Sequence, residues 1–325
     1  MSEVLVQKNP LGDLVSCTGQ GTLVHYSHVL AQTDAKAVVL VVHGMCEHQK
    51  RYFHFAEFLA QKGYLVYTLD LPGHGETGRD NLGFFADKDG DRFVPQDIDQ
   101  LVQKIKESVD LPMHLFGHSM GSILVRYYLA NFTSQLNSVI LCGTVGKNPA
   151  TGIGIVLARL SVWLFGSRHR ALFINRLTQA NMREKKTKAK EQKNDLAANA
   201  EEWCFQWLSR QEQVVENYVK DPLCGFMFTN SAFWALFKWI KSITTLNWAK
   251  QVKQRHPNLP IYLIAGDADP VGNYGRGVVQ TKENLTKAGL EVELKLYAGA
   301  KHELINEINR EEVYQDVANW LKRRS

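Results

Sequence analysis

The segment from Met113 to Tyr128 changes from a strand-like to a helix-like sequence at one short motif. An apolar, strand-like run ends at Gly117 and a helix-like run starts at Gly121, with Ser119 midway in the sequence Gly-His-Ser-Met-Gly. A chain that passes from strand to helix over so short a distance must turn sharply, and the serine lies at the apex of the turn. The flanking glycines let the strand and the helix pass closely, which a Cβ atom would obstruct. The motif therefore predicts that Ser119 is a nucleophile on a strand–turn–helix unit.

Apolar runs alternate with helix-like segments through most of the chain. Strands are predicted at residues 37–43, 64–71, 113–118, 138–143, 259–266 and 292–297, and helices at about 50–62, 93–109, 121–132, 276–289 and 309–323. Continuous apolar strands that alternate with helices are typical of a parallel sheet covered on both faces. Residues 1–36 are expected to add one or two antiparallel edge strands. We therefore predict an α/β fold with a mostly parallel, eight-stranded sheet and helices on both faces.

The alternation stops between residues 144 and 257, where no convincing strand occurs. This stretch carries six of the seven tryptophans, namely Trp163, Trp203, Trp207, Trp234, Trp239 and Trp248. We interpret it as a helical cap inserted after the sixth strand, over the carboxyl ends of the strands, where open α/β sheets bind ligands. Residues 1–143 and 258–325 then form the core, and residues 144–257 form the cap.

The cysteines and the N-terminus indicate a cytoplasmic protein without metal or cofactor. The five cysteines are scattered and form no C-x-x-C pair, so neither a disulfide framework nor a zinc site is predicted. There is no His-Glu-x-x-His motif and no glycine-rich nucleotide-binding loop. The N-terminus lacks a secretory signal pattern, and no segment approaches the roughly 20 apolar residues that span a membrane.

A serine nucleophile needs a base and an acid, and the order of residues limits the choice. The serine hydroxyl is activated by a histidine, which a carboxylate orients, in the chain order Ser, Asp or Glu, His. Of the eleven histidines, only His169, His256 and His302 follow Ser119, and His302 alone follows the last predicted strand. Asp267 and Asp269 both follow the strand at 259–266. We prefer Asp269 as the acid, with Asp267 as the alternative.

Acyl transfer also requires donors for the negative charge that develops on the substrate oxygen. One is expected from the backbone N–H of Met120, directly after the nucleophile. The second is expected in the loop that follows the first long strand, where Gly44 permits a turn and the N–H of Met45 is placed to donate. The Met45 and Met120 side chains are then expected to line the acyl pocket.

Several motifs together give the chain a family resemblance. They are HGMCEH at 43–48, RY at 51–52, DLPGHG at 70–75, GHSMG at 117–121, GDAD at 266–269 and GAKH at 299–302. In this combination the chain resembles the monoacylglycerol lipase and lysophospholipase group of α/β-hydrolases, also labelled serine aminopeptidase S33-like. The resemblance implies an α/β-hydrolase fold, a triad at Ser119, Asp269 and His302, and oxyanion donors at Met45 and Met120. It implies a serine carboxylic ester hydrolase that forms an acyl-enzyme from a single-chain lipid ester.

Aromatic residues in the cap suggest where an acyl chain binds. Phe226, Phe233, Trp234 and Phe237 are expected to line the substrate pocket, although the same rings could equally pack the cap onto the core. The Met45-Cys46 pair replaces the small residues that many members of the group have there. Bulk at this position puts the acyl-chain-length preference in doubt, whereas the backbone donor is unaffected.

A membrane surface is the other expected partner. The apolar run at 152–166 precedes a basic segment, 168–193, that holds nine Lys or Arg and two Glu. The basic segment is interpreted first as a solvated helix face. The alternative hypothesis is a patch that, together with the apolar run as a lid helix, brings the cap into peripheral contact with the inner face of a membrane.

Three other functions remain as alternatives to the lipid ester hydrolase. A small-molecule carboxylesterase, or an S33-type aminopeptidase, would use the same catalytic residues. A catalytically silent binding protein would keep the fold without the chemistry. Nucleic-acid binding is disfavoured because no aromatic residues for base stacking lie between Arg176 and Lys193.

Overall fold

The computed structural model describes residues 6–19, 21–180, 182 and 205–325. Strands β1 to β8 are Val6–Lys8, Tyr26–Val29, Ala37–Val42, Tyr64–Leu69, Met113–His118, Ser138–Cys142, Ile261–Gly266 and Val292–Tyr297. Helices α1 to α5 are Phe53–Gln61, Gly90–Ser108, Met120–Asn131, Thr151–Phe165 and Leu172–Ala180. Helices α6 to α10 are Glu212–Lys220, Asn230–Ile243, Leu246–Arg255, Arg276–Lys287 and Arg310–Lys322.

The eight strands form one sheet in the order β1-β2-β4-β3-β5-β6-β7-β8. The pairs β1–β2 and β2–β4 are antiparallel, and all other pairs are parallel. Two antiparallel strands therefore lie at one edge, and the prediction of a mostly parallel, eight-stranded sheet is confirmed. The parallel strands point their carboxyl ends to the same side of the sheet, which is where Ser119 and the loops after β3, β7 and β8 meet.

Helices cover both faces of the sheet, and the central strand β3 shows why its sequence is wholly apolar. Val39 and Val41 belong to the core cluster covered by α1 and α10. Val38, Leu40 and Val42 belong to the opposite cluster, which α2, α3, α8 and α9 cover. Successive side chains of a strand alternate between faces, so a strand covered on both sides has no position for a polar residue.

The predicted helical cap is present between β6 and β7. Helix α4 packs against α7, which in turn packs against α2 and α3 of the core. The last helix of this stretch, α8, packs against α3 and α9, within the layer of helices that covers the sheet. Trp203 and the part of the basic segment from residue 183 to 193 lie outside the described residues. Among the described residues, no helix combines the length and apolarity needed to cross a bilayer.

A buried arginine joins the cap to the core. Arg126 of α3 is 1% exposed, and its guanidinium donates to the hydroxyl of Thr144 and the carbonyl of Val145, where the cap segment starts. It also donates to the carbonyl of Ile243, the last residue of α7. Its guanidinium carbon lies 4.6 Å from the Trp248 ring centroid. One side chain thus fixes the cap at its first residues and at the end of α7.

Candidate active site

Ser119 lies between β5 and α3 in a backbone conformation that side chains rarely adopt. Its φ and ψ are 51° and −117°, and the strain is sustained by the packing around it. A Cβ at Gly117 would lie 2.7 Å from the Gly121 carbonyl oxygen, and a Cβ at Gly121 would lie 2.1 Å from the Val42 carbonyl oxygen. Both glycines are therefore required for α3 to lie so close to β3 and β5, with Ser119 half-buried at the turn.

His302 and Asp269 form a buried pair at the carboxyl ends of the neighbouring strands. His302 follows β8 and is 2% exposed, and Asp269 follows β7 and is fully buried. Nδ1 of His302 lies 2.9 Å from Oδ2 of Asp269. The carboxylate is an acceptor only, so Nδ1 carries the hydrogen and Nε2 has its lone pair free. A Cβ at Gly143, directly after β6, would lie 3.1 Å from Cε1 of His302. The carbonyl of Cys142, the last residue of β6, accepts the N–H of Ser119 at 2.9 Å.

The alternatives considered for the base and the acid lie elsewhere. His169 is exposed on the cap. His256 is buried at the end of α8, where its Nε2 lies 3.0 Å from the Phe132 carbonyl oxygen. Asp267 is exposed, and its Oδ1 accepts the N–H of Gly299 as a turn residue does.

Neighbouring side chains bind two of the backbone N–H groups in the loop after β3. The Gly44 N–H donates to Oε1 of Glu47 at 2.5 Å, and the Cys46 N–H donates to Nε2 of His74 at 3.2 Å. The Gly44 carbonyl accepts from Nδ1 of His43 at 2.7 Å. In a trans peptide the C=O and N–H point in opposite directions, so the Met45 N–H points away from His43. No residue in the described part of the chain accepts a hydrogen bond from the Met45 N–H.

Two neutral histidines hold this loop, and their roles were not predicted from the sequence. Burial, together with the nearby His43, lowers the pKa of His74 to about 3. Burial likewise lowers the pKa of His43, against the opposing charge of Asp70. His43 accepts from the Leu71 N–H and His74 donates to the Pro72 carbonyl. The repetition of histidine next to glycine at 43–44 and 74–75 is the signal that could have suggested their shared role.

A cavity of about 780 Å³ extends from these residues into the cap. Its core wall includes Met45, Ser119, Met120 and His302. Its cap wall is apolar and includes Ile153, Leu157, Ile174, Leu177, Leu236 and Ile240. This volume falls within the range of about 300–1,000 Å³ that is usual for small-molecule sites. The cavity therefore joins a polar catalytic end to an apolar chamber.

The four aromatic residues predicted for the pocket do not all lie on it. Phe226, Phe233 and Phe237 line the cavity. Trp234 does not line it, and this placement is a correction to the expectation. Trp234 follows Phe233 on α7, and one residue turns the helix by about 100°, so its ring lies in a separate surface depression beneath the Nζ of Lys238.

One group of possible metal ligands occurs in the described part of the chain. His48, Asp221 and Cys224 bring a ring nitrogen, a carboxylate oxygen and a thiol within 4.8 Å of one another. Nε2 of His48 is already 2.8 Å from Oδ2 of Asp221. Nη1 of Arg51 lies 4.0 Å from the Cys224 sulfur, and burial is the main cause of the raised pKa of that thiol. A cation there would face the guanidinium, so we assign these residues to the contact between cap and core.

Known proteins resemble the chain over nearly its whole length. The sequence profile of a family described as serine aminopeptidase, S33 matches residues 33–309. A monoacylglycerol lipase from Mycolicibacterium smegmatis is 26% identical over 314 residues, which are 93% of this chain and 93% of that protein. The monoglyceride lipase of Homo sapiens is 27% identical over 305 residues, which are 89% of this chain and 84% of that protein.

A solved structure gives the same result for the fold. A highly thermostable carboxyl esterase from Bacillus coagulans, in complex with glycerol, superposes with a TM-score of 0.80 and 27% identity. The superposition covers 98% of each chain. The similarity therefore includes the sheet, the helices on both faces and the inserted cap.

Proposed function

The chain belongs to the serine aminopeptidase, S33 family of α/β-hydrolases and is a carboxylic ester hydrolase, and we propose that it cleaves single-chain lipid esters through a Ser119–His302–Asp269 triad. The substrate class is a monoacylglycerol or a lysophospholipid. One observation carries the proposal. His302, with its free Nε2 and its partner Asp269 behind it, shares with the half-buried Ser119 a cavity that continues into an apolar chamber.

The first half of the reaction forms an acyl-enzyme. Oγ of Ser119 attacks the ester carbonyl carbon while its proton passes to Nε2 of His302. Asp269 keeps Nδ1 protonated and stabilises the imidazolium. When the tetrahedral intermediate collapses, the C–O bond to the alcohol breaks and His302 gives its proton to the leaving oxygen. Water then attacks the acyl-enzyme with His302 as base, and Ser119 regains its proton as the carboxylic acid leaves.

The negative charge of each tetrahedral intermediate needs fixed donors. The Met45 N–H and the Met120 N–H are the proposed pair. Met120 is the first residue of α3, where N–H groups have no partner within the helix. Donors that are held in place before the reaction stabilise the developing charge without reorganisation, and one such donor is worth about 3 kcal/mol. The hydrogen bonds of His43 and His74 to the loop support this fixed arrangement.

The chamber in the cap suits an acyl chain. Phe233, Leu236, Phe237 and Ile240 follow one another at the spacing of one helix face, and all four line the cavity. The burial of each methylene group contributes about 0.8 kcal/mol, so a long chain gains affinity in this chamber and a short one does not. This favours lipid esters over small esters.

An exposed apolar surface on the cap supports a membrane as the source of substrate. Trp163 on α4 is 76% exposed, and Phe173 on α5 is 64% exposed. Ile153, Val156, Leu164, Phe165 and Leu172 are exposed on the same two helices. We call these seven residues the apolar cap surface. Arg159 and Arg176 lie exposed on the same helices, as expected of helices that rest on an anionic bilayer.

The aminopeptidase alternative requires free carboxylates to bind a substrate amino terminus. Among the described residues that line the cavity, the acidic side chains are Glu47 and Glu303. Both are paired with Arg51. The cavity therefore offers no uncommitted acid there, which disfavours this alternative.

Ester hydrolysis as a function of acyl length tests the proposal. We would measure kcat and KM for monoacylglycerols and for p-nitrophenyl esters from acetate to palmitate, with wild type, Ser119→Ala and Leu157→Trp. Ser119→Ala should lose about 10⁴-fold or more in kcat. Leu157→Trp fills the chamber, so KM should rise for long chains and stay unchanged for acetate. Trp234→Leu, outside the cavity, is the matched control. A wild type that cleaves acetate alone would reduce the proposal to a small-molecule esterase.

A further inference from the structure

A cluster of buried charged groups lies between the three loops of the active site. Glu47, His118 and Glu303 are each 2% exposed, and the side chain of Arg51 is 11% exposed. Glu47 lies in the loop after β3 that carries Met45, which we call the Met45 loop. His118 directly precedes Ser119. Glu303 directly follows His302 in the loop after β8, which we call the histidine loop. The mechanism above uses none of these four side chains. Burial of so many charges is costly, which calls for an explanation.

Glu47 holds the loop that carries the proposed oxyanion donor. Its Oε1 accepts the N–H of Gly44 at 2.5 Å and the hydroxyl of Tyr52 at 2.7 Å. The Gly44 N–H belongs to the peptide directly before the Gly44–Met45 peptide, so this contact restrains the loop next to the Met45 N–H. Burial opposes ionisation of Glu47, but His118 and Arg51 outweigh it and lower the pKa of the carboxyl. Glu47 is therefore an anion at neutral pH.

Both ring nitrogens of His118 face acceptors. Nδ1 lies 3.2 Å from Oε1 of Glu47, and Nε2 lies 3.3 Å from the carbonyl oxygen of His302. The Tyr52 hydroxyl donates to Glu47, so its oxygen, 2.9 Å from Nδ1, is a second acceptor for that nitrogen. A neutral imidazole has one N–H and could serve only one side. The geometry is that of an imidazolium, which donates to both.

Electrostatics agree with this geometry. Burial on its own lowers the pKa of His118, but the hydrogen bond to Glu47 and the charges of Glu47 and Glu303 outweigh burial and raise it. The charged and titratable groups around His118 are Glu47 from the Met45 loop, Arg51 and Tyr52 from the turn before α1, and His302 and Glu303 from the histidine loop. The His302 ring centroid lies 4.8 Å from that of His118. Arg51 forms ion pairs with both carboxylates. The positive charge of Arg51 is thereby compensated by the two carboxylates.

We propose that His118 is a positioning residue that acts as an imidazolium, joining Glu47 beside the oxyanion loop to the backbone of His302. Through its own place before Ser119 it fixes the hydroxyl, the base and the oxyanion donor relative to one another. The proposal rests on the proposed roles of Ser119 and His302. It assigns to His118 no contact with the reacting atoms.

The proposal predicts that activity falls at alkaline pH, where His118 loses its proton; we call this fall the alkaline limit. When His118 loses its proton, one of its two contacts is lost: either the carbonyl of His302 or the carboxylate of Glu47 no longer receives a hydrogen bond from His118. The three loops are then free to shift, and a displacement of about 1 Å at an active site can cost about 100-fold in rate. The effect should fall on kcat, since the acyl chamber is unchanged.

Substitutions at His118 separate this role from simple packing. His118→Ala should lower kcat about 100-fold with KM changed less than twofold, and the remaining activity should lack the alkaline limit. In His118→Gln and His118→Asn the neutral amide can donate, but to one side at a time, so each should recover part of the loss. Glu47→Gln should move the alkaline limit to lower pH by about one unit or more. A His118→Ala enzyme within twofold of wild type would overturn the proposal.

The charge of His118 can be measured without any activity. Nitrogen-15 chemical shifts of the histidine side chains in Ser119→Ala, assigned with His118→Gln, should show an imidazolium for His118 at pH 8. A neutral ring there would contradict the proposal even if the variants are inactive or poorly folded. If instead Ser119→Ala hydrolyses esters like the wild type, the proposed function fails, while the charge of His118 is still decided by the spectrum.

Discussion

His302 donates through Nδ1 to Oδ2 of Asp269 over 2.9 Å, and its other ring nitrogen, Nε2, is buried with no hydrogen-bond partner in the described part of the chain. A buried polar atom without a partner is costly. The proposed role of His302 as the base for Ser119 accounts for this cost, because Nε2 must be free to receive a proton. The His302–Asp269 pair therefore has the tautomer and the free lone pair on Nε2 that the proposed mechanism requires.

Removing the charge of Asp269 should stop catalysis without disturbing the fold. In Asp269→Asn the amide can donate to Nδ1 and favour the wrong tautomer, so kcat should fall about 10⁴-fold. Asp267→Asn is the matched control, because Asp267 lies two residues earlier and is exposed. Steady-state rates with a soluble ester measure both. A larger loss for Asp267→Asn would reassign the acid.

Gly44→Ala should weaken the oxyanion site. A Cβ there would lie 2.6 Å from Oε1 of Glu47 and 3.1 Å from Cβ of Ser119, so the loop must shift and carry the Met45 N–H with it. We expect kcat to fall about 100-fold, with KM for a short ester nearly constant. Gly152→Ala is the control, because nothing lies within 4 Å of its added Cβ. Unchanged kcat in Gly44→Ala would argue against a donor at Met45.

The apolar cap surface should mediate binding to lipid vesicles. Replacing Trp163 and Phe173 with alanine removes two large exposed rings, and co-sedimentation with anionic vesicles should weaken by about tenfold or more. Hydrolysis of a soluble short ester should not change. Ile308→Ala is the control, because it removes an apolar side chain that is 61% exposed and lies outside the cap. Equal binding by the wild type and the double variant would exclude this surface.

Asp97 should make stability depend on pH. Burial raises its pKa from 3.8 to about 6, despite hydrogen bonds from the Cys17 N–H and the Ser16 hydroxyl. The folded protein thus binds this proton more tightly than the unfolded chain. Its contribution is fully present below about pH 4 and is lost as the pH rises through about 6, by about 3 kcal/mol.

Urea unfolding of wild type and Asp97→Asn between pH 4 and pH 7 measures the contribution of Asp97 to the free energy of unfolding. The amide cannot ionise, so the variant should gain stability relative to wild type as the pH rises. Asp110→Asn, at an exposed carboxyl, controls for the loss of one charge. A difference between wild type and Asp97→Asn that stays constant with pH would show that Asp97 does not ionise in this range.

The sequence predicted the sheet because its strands are covered on both faces and must be apolar throughout. One or two antiparallel edge strands were expected within residues 1–36, and β1 and β2 lie there. The cap was expected where the alternation of strands and helices stops. Trp234 shows where pattern alone was insufficient, since neighbours on a helix differ by about 100° in direction and the sequence did not say which face meets the cavity.

His118 and Glu47 show a second limit. A buried polar contact joins residues far apart in sequence, and no local period marks it. Both residues stand inside the quoted motifs, yet their pairing became visible only once β3, β5 and the loop after β8 were placed together. Which carboxylate pairs with which base is decided by tertiary distance, as the buried Asp269 and the exposed Asp267 illustrate.

The most direct test of the account is mass spectrometry of the acyl-enzyme. Wild type and Ser119→Ala would be mixed with a medium-chain p-nitrophenyl ester, quenched in acid within milliseconds and digested. If Ser119 is the nucleophile, the wild type should carry an acyl adduct on the peptide that contains Ser119, and Ser119→Ala should show no adduct and no turnover. An adduct on another residue, or undiminished hydrolysis by Ser119→Ala, would contradict it.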